Sequence, residues 1–493
     1  MTYTEGFRQA ELKRIRRIID EGPYAADWDS LARWEAPAWY RDAKFGIFTH
    51  WGVYTVPEFD NEWYPRNMYI RGERAFIHHE ETYGPHKDFG YKDLIPLFKA
   101  PRFDADDWAE TFKNAGARYY VSVAEHHDGF QMYKSALSDW NAAEMGPHRD
   151  VIGELTAAAE RQGLYNCLSS HRAEHWWFMS HGREFDSDVC EPLRRGDFYW
   201  PAMPERDFSD RRSAPEPTPE FLDDWLLRTA ELADRFHPRM IYFDWWIQHE
   251  AFVPYLTRFA AYYYNMSLRL GYTPVISYKH DGFLYGTALS DVERGQLSDI
   301  QASPWQTDTA CALNSWCYTR ENVYREAEDI VCDLLDIVSK NGNLLLNVGP
   351  RADGTIGAEE RLILGKIGAF LKANGEAVYG TRPWRVFGEG PTQIQSGFFT
   401  DGVKKEFTSR DFRFTRKGSS VYAAALRPDP QGEYCCRTFR ALNAPAFDGL
   451  HRDILRVTRP DGQPVHWERR EDGLILRTAA GGAMPVVFRL ELA

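Results

Sequence analysis

The sequence predicts an α/β fold: a TIM-type (β/α) barrel followed by a C-terminal antiparallel β-sandwich. Three observations point there. Short apolar runs alternate with helical patterns from about residue 45 to about residue 350. Several of those runs end in polar clusters, as strands do at the C-terminal rim of a barrel. After Gly388-Glu-Gly-Pro391 the helical pattern stops, and short alternating runs between Gly, Asp and Pro turns take over. The number of βα units favours a closed barrel, with an open sheet as the alternative.

Taken in order, residues 8–20 read as an amphipathic helix with alternating charges. Strands are expected at Phe45–Thr49, Tyr119–Ala124, Tyr165–Ser169, Met240–Phe243, Pro274–Tyr278 and Leu344–Val348. Helices are expected at Asp104–Ala115, Val151–Gln162, Pro219–Phe236 and Glu321–Ser339. The first of these has an N-cap in Asp104 and acidic residues Asp106 and Asp107 in its first turn. The later alternating runs are Val421–Leu426, Leu474–Arg477 and Val486–Leu492. The expected division is a catalytic barrel with an N-terminal helix at 1–382 and a β-sandwich at 383–493. Lys404-Lys405 and the run Arg413 to Lys417 are expected on a solvated face.

Composition narrows the function. The 493 residues carry a formal net charge of -13, which argues against nucleic-acid binding. Aromatic residues make up 15%, which suits either a large aromatic core or sugar-binding surfaces. The seven cysteines are odd in number and form no C-x-x-C pair, against both a disulfide framework and a thiolate zinc site. No signal segment opens the chain and no run approaches 18 apolar residues, so a cytoplasmic protein away from membranes is expected.

The chemistry gathers at strand ends. His50 follows the first strand, His126 and His127 the second, His171 the third and Asp244 the fourth. Adjacent side chains on a strand face opposite ways, so His126 and His127 share a cleft only if their strand has already ended. Two readings compete: a metal site, or a pocket that hydrogen-bonds a polar ligand. His171-Arg-Ala-Glu-His175 matches the H-x-x-E-H pattern of inverted zincins. That use requires a helix, whereas here the motif follows a strand directly and begins a loop.

Several longer segments carry a family likeness. Trp39-Tyr-Arg-Asp-Ala-Lys-Phe-Gly-Ile-Phe-Thr-His-Trp-Gly-Val-Tyr54 and Asn61-Glu-Trp-Tyr64 closely resemble the opening of α-L-fucosidases of glycoside hydrolase family twenty-nine. So do Glu125-His-His-Asp-Gly-Phe130, Ser138-Asp-Trp-Asn141, Gly146-Pro-His-Arg-Asp150, Asn341-Gly-Asn-Leu-Leu-Leu-Asn347 and Asn374-Gly-Glu-Ala-Val-Tyr-Gly-Thr-Arg-Pro-Trp384. They run in family order from about 36 to 385. The resemblance implies a distorted (β/α)8-like barrel followed by a β-sandwich. It implies an exo-acting, retaining hydrolase that passes through a covalent fucosyl-enzyme, needs no cofactor or metal, and takes fucosylated oligosaccharides or glycoconjugates. Relatives are often oligomeric, but nothing in this sequence fixes a number.

By the same resemblance, Asp244 sits at the nucleophile position and His50, Glu62, Trp63, His126 and His127 would hold fucose hydroxyls. Trp316 would pack on the C5 methyl group. Glu293 is the candidate acid/base, with Asp291 next and Glu250 third. The chain departs from many relatives after the third strand. Ser169-Ser-His171 stands where a Tyr-Tyr pair is common, so His171 would supply the missing contact, with Arg172 or Glu174 beside it. The segment Ser180 to Pro217 is expected as a rim excursion or a solvated loop. Two alternatives stay open: a fucose-binding protein without catalysis, and a zinc-dependent hydrolase built on the histidines.

Overall fold

The computed structural model describes residues 4–190, 192–207, 209–403, 405–441 and 453–493. Eight parallel strands close into a barrel in sequence order. They are β1 (Phe45–Thr49), β2 (Tyr119–Glu125), β3 (Tyr165–Ser170) and β4 (Met240–Phe243), followed by β5 (Val275–Lys279), β6 (Leu289–Asp291), β7 (Trp305–Ala310) and β8 (Gly342–Val348). Pairing of β1 with β8, from Phe45 opposite Leu344 to Thr49 opposite Val348, shuts the ring. All five residues of β1 and all seven of β2 and β8 are buried, as strands covered on both faces must be.

The helices outside the barrel follow from sequence signals. Asp104 accepts hydrogen bonds from the backbone N–H groups of Asp106 and Asp107, starting the helix Ala105–Asn114. Its Trp108, Ala109 and Phe112 form the stripe that faces the strands. Thr218 caps Pro219–Phe236 in the same way, with proline in the first turn. The helix expected from Glu321 begins only at Ala327. Residues 323–325 instead pair with the loop after β7, through Leu313 N–H to Val323 O and Arg325 N–H to Cys311 O. Backbone partners there outweigh helical propensity.

The barrel is irregular on one side. Among the described residues no α-helix lies between β5 and β6 or between β6 and β7. β6 has three residues and meets β7 at a single register pair, Asp291 opposite Gln306. These two strands escape the sequence reading because their inward residues are polar: Asp291, Gln306 and Asp308.

Beyond the barrel come β9 (Arg382–Glu389), β10 (Phe412–Lys417), β11 (Ser420–Ala425), β12 (Glu433–Cys436), β13 (Ile454–Thr458), β14 (His466–Arg469), β15 (Leu474–Arg477) and β16 (Val486–Leu492). They make a five-stranded sheet ordered β13-β16-β11-β10-β9 and a three-stranded sheet ordered β12-β15-β14. Alternation along β10 assigns its two faces. Phe412 and Phe414 enter the core between the sheets with Trp384, Phe439, Leu474 and Phe488. Arg413 and Thr415 face the barrel instead, where Arg413 pairs with Asp336 and Thr415 donates to Ala377 O. The expectation of a solvated basic face is therefore corrected. Arg413 is buried, Lys405 pairs with Asp333, and only Arg416 and Lys417 of the later run are exposed. Lys404 lies outside the described residues.

Candidate active site

A cavity of about 350 Å³ opens at the C-terminal ends of the barrel strands. His50, Glu62, Trp63, His126, His127, His171, Asp244, Glu293 and Trp316 all line it. Tyr242, Trp245, Lys279, His280, Asp308 and Phe399 complete the wall.

Each strand end delivers its side chain for a local reason. β2 pairs with β3 through an irregularity between Val123 and Glu125. A bulge there re-aims the chain, so His126 and His127 both leave the strand toward the cavity. The following turn needs glycine. Gly129 has a φ of 78°, and a Cβ on it would come 2.7 Å from the His175 ring. Glu125 and Asp128 of the same motif are structural. Glu125 accepts from Arg172 and Arg228 at 2.8 and 2.9 Å, and Asp128 accepts from Tyr91 Oη at 2.7 Å.

Asp244, just past β4, is the best-held carboxylate. Its Oδ2 lies 2.8 Å from His171 Nδ1 and 3.6 Å from His127 Nε2, and its Oδ1 lies 2.9 Å from Lys279 Nζ. The Trp245 N–H also donates to Oδ1 at 2.8 Å. Burial alone would raise the Asp244 carboxyl; Lys279, His171 and His127 reverse this and hold it well below the usual carboxylate range.

Glu293 behaves oppositely. It follows β6, and its Oε2 lies 2.8 Å from the same Lys279 Nζ. Burial pushes its carboxyl up to about 7; Lys279 restrains the rise, while Asp308 and Asp244 add to it. One ammonium thus bridges a carboxylate held ionised and a carboxyl that keeps its proton up to near neutral pH. Environments that push two carboxyl groups apart assign them different proton-transfer roles.

The other two acid candidates lie elsewhere. Asp291 is fully buried inside the barrel, where it accepts from Gln306 Nε2 at 2.6 Å. Burial and then the adjacent Asp308 push its carboxyl well above the usual range. Glu250 is exposed and pairs with Arg212 at 2.7 Å, outside the cavity.

The histidines divide by charge. Burial holds His50 and His126 well below the ordinary imidazole value, and the neighbouring imidazoles add to the effect. Burial also lowers His171, with Asp244 opposing. His127 is raised to about 9: burial opposes protonation, but Glu174 and Asp244 overcome it. His127 Nδ1 lies 3.0 Å from His171 O and 3.1 Å from Glu174 Oε2. Its Nε2 is the nitrogen turned toward Asp244.

His171 therefore meets the nucleophile candidate itself. Arg172 does not join it in the cavity; it lies in a buried network with Glu125, Asp224 and Arg228. Glu174 sits behind His127 rather than on the cavity wall. The H-x-x-E-H pattern falls on a 3₁₀ turn, Arg172–Trp176, and its two histidines take different partners. His175 Nδ1 donates to His127 O at 2.8 Å. Among the described residues, His50, His126 and His171 are close enough to share a metal, as are His127, His171 and Asp244. His175 is in neither group. Both His171 nitrogens are already engaged, with Ser169 Oγ and Asp244, and His50 Nδ1 is bonded to Asn347 Oδ1 at 2.7 Å. These donors fit a metal poorly and a hydroxyl-lined sugar pocket well.

Trp316 and Glu62 close the far wall. The Trp316 N–H donates to Glu62 Oε2 at 2.9 Å, and Asn347 Nδ2 donates to Trp316 O at 2.6 Å. The Arg294 guanidinium lies 4.6 Å from the centre of the Trp316 ring. Of the residues missed from sequence, Lys279 carried a usable signal: it is the polar end of a strand expected to stop at Tyr278. Asp308 carried a weaker signal in a polar strand, and Phe399 carried none. The segment 180–217 does not line the cavity. It is anchored rather than loose, with Arg66 paired to Glu205 at 2.6 Å and Arg211 Nε donating to Gln248 O at 3.0 Å.

A family model described as Alpha-L-fucosidase matches residues 13–376, a span that holds all eight barrel strands. Tissue alpha-L-fucosidase of Rattus norvegicus is 32% identical over 422 residues, covering 82% of this chain and 79% of the relative. Plasma alpha-L-fucosidase of Homo sapiens is 34% identical over 479 residues, covering 91% and 87%. Among solved structures, the Thermotoga maritima alpha-fucosidase in complex with a mechanism-based inhibitor superposes with a TM-score of 0.72 at 26% identity, covering 95% of this chain and 100% of that one. The same enzyme in complex with fucose gives 0.71 at 26%, with the same coverage. The family match over most of the chain, and relatives above 30% identity along more than four-fifths of it, make this chain a member of the alpha-L-fucosidase family.

Proposed function

We propose that this protein is a retaining exo-α-L-fucosidase, with Asp244 as nucleophile and Glu293 as acid and then base. The observation that carries the reading is the Lys279 bridge. Its contacts of 2.9 and 2.8 Å hold the facing Asp244 and Glu293 oxygens within about 6 Å. Retaining pairs sit about 5–5.5 Å apart, whereas inverting pairs leave about 6.5–9.5 Å for a water. The family membership and a relative bound to fucose support the substrate class.

In this mechanism the neutral imidazoles of His50 and His126, with Glu62, take the fucose hydroxyls. Trp316 packs on the C5 methyl group. Asp244, held ionised, attacks the anomeric carbon while Glu293 gives its proton to the departing oxygen. A water then enters, Glu293 removes its proton, and the Asp244 ester is hydrolysed with net retention. An apolar wall at C5 rejects an added hydroxyl only modestly, so L-galactosides are slow side substrates.

The test is the anomer first released from a fucosyl aryl glycoside, followed by proton NMR. Retention delivers α-L-fucose first; β-L-fucose first overturns the mechanism. Asp244→Gly should lose activity by about a thousandfold or more and regain turnover with azide. An Asp244→Gly enzyme as active as the wild type removes Asp244 from the role. A wild type that cleaves no fucoside leaves a binding protein as the reading.

A further inference from the structure

Residues 397–401, between β9 and β10, run along the loop that carries Glu293. Three backbone bonds tie them: Gly397 N–H to Gln296 O at 3.0 Å, Phe399 N–H to Glu293 O at 2.9 Å, and Asp401 N–H to Arg294 O at 2.8 Å. Side chains reinforce the tie. Asp401 Oδ2 accepts from Thr309 Oγ1 at 2.5 Å and from Arg294 Nη1 at 3.5 Å. The Phe398 ring stacks on His280 at 4.6 Å between centres.

Phe399 is unusual in two independent ways. It is an aromatic side chain left 62% exposed on the cavity mouth. It also holds a φ of 55°, in the left-handed region that bulky residues avoid. Backbone held in so sparsely populated a region is found more often at active sites and ligand clamps than elsewhere. The seating of Phe399 says which part of the ligand that is. An acid must reach the glycosidic oxygen to protonate it, so the first ring of the leaving group starts beside Glu293. Phe399, bonded to the Glu293 carbonyl itself, borders that space.

We propose that Phe399 is the platform for the first pyranose of the leaving group, packing its ring on the apolar C–H face of that sugar. The site would then select oligosaccharide fucosides over fucosides of small alcohols. It is also built by a segment some hundred residues away from Glu293 in sequence, so the chain beyond β9 takes part in substrate choice. The proposal rests on the fucosidase reading above.

The experiment compares kcat/KM for α-L-fucosyl fluoride, whose leaving group has no ring, with that for whichever fucosylated lactose the wild type cleaves fastest. In Phe399→Ala the oligosaccharide-to-fluoride ratio should fall about tenfold, the scale of one aromatic packing contact. Phe399→Trp keeps an aromatic face and should restore the ratio. A ratio unchanged in Phe399→Ala, or both substrates falling together, overturns the platform; the second result would leave Phe399 holding only the Glu293 loop. A wild type inactive on both substrates fails the fucosidase reading instead.

Discussion

Lys279→Met should move the whole pH–rate profile to higher pH. Lys279 Nζ lies 2.9 Å from Asp244 and 2.8 Å from Glu293, with Asp308 at 3.7 Å. At ~3 Å, and at an effective dielectric near 20, one such charge pair is worth about 5 kcal/mol as a ceiling. Measured shifts from a single opposite charge are smaller, about 1–3 pKa units. The sign is the same for both carboxyls: losing the cation favours the protonated form and raises each pKa. Asp244 starts well below the usual range, so its limb should rise into the measurable region. His127, 3.6 Å away and still charged, keeps that rise toward the low end of the range. Glu293 starts at about 7, so the alkaline limb should move above it. The assay is kcat/KM for 4-nitrophenyl α-L-fucoside from about pH 4 to pH 9, where limbs report the free enzyme's acid and base. Circular dichroism establishes that the variant is folded, and Lys279→Arg, which keeps the charge, should hold both limbs near their wild-type positions. A folded Lys279→Met enzyme with unmoved limbs would refute the bridging role.

Two further outcomes follow from the same geometry. Glu293→Ala should cost fucosylated oligosaccharides about a hundredfold or more, the usual worth of a positioned acid, and cost substrates with good leaving groups far less; equal losses on both substrate classes would remove Glu293 as the acid. Exhaustive chelation should leave wild-type activity intact, since both nitrogens of His171 already have protein partners; activity that disappears and returns with zinc would install the metal reading.

What the sequence revealed depended on how each element buries its residues. β1 through β5 and β8 were legible because each carries an apolar run of strand length, even where an inward position is polar, as at Ser277 and Asn347. β6 and β7 were not, because their interior residues Asp291, Gln306 and Asp308 bond to one another and to Lys279 rather than meeting hydrocarbon. Their cost of burial is met by partners far away in sequence, which a local pattern cannot display. The same distinction runs through the site. Polar strand ends marked His50, His126, His127, His171 and Asp244, and stopping one strand a residue short hid Lys279. Phe399 was invisible because its place is set by backbone hydrogen bonds from residues 397–401 to the Glu293–Gln296 loop across the fold. The family likeness supplied what strand ends alone could not, namely the roles expected of Glu62, Trp316 and Glu293.

Four buried imidazoles beside one carboxylate raise a physical question, because identical groups rarely do identical work. If all four were charged, repulsion and desolvation together would be prohibitive. If all were neutral, Asp244 would lose a second cation. The fold separates them chiefly through Glu174, which lies 3.1 Å from His127 and, with Asp244, brings that imidazole to about 9. The other three are held below the ordinary imidazole value; His171 spends both nitrogens on Ser169 and Asp244, which leaves the neutral rings of His50 and His126 for the hydroxyls of the proposed substrate. The H-x-x-E-H segment thus has a use that its metal-like spacing conceals. Its first histidine and its glutamate act on Asp244, one directly and one through His127, while its second histidine braces the turn at Gly129.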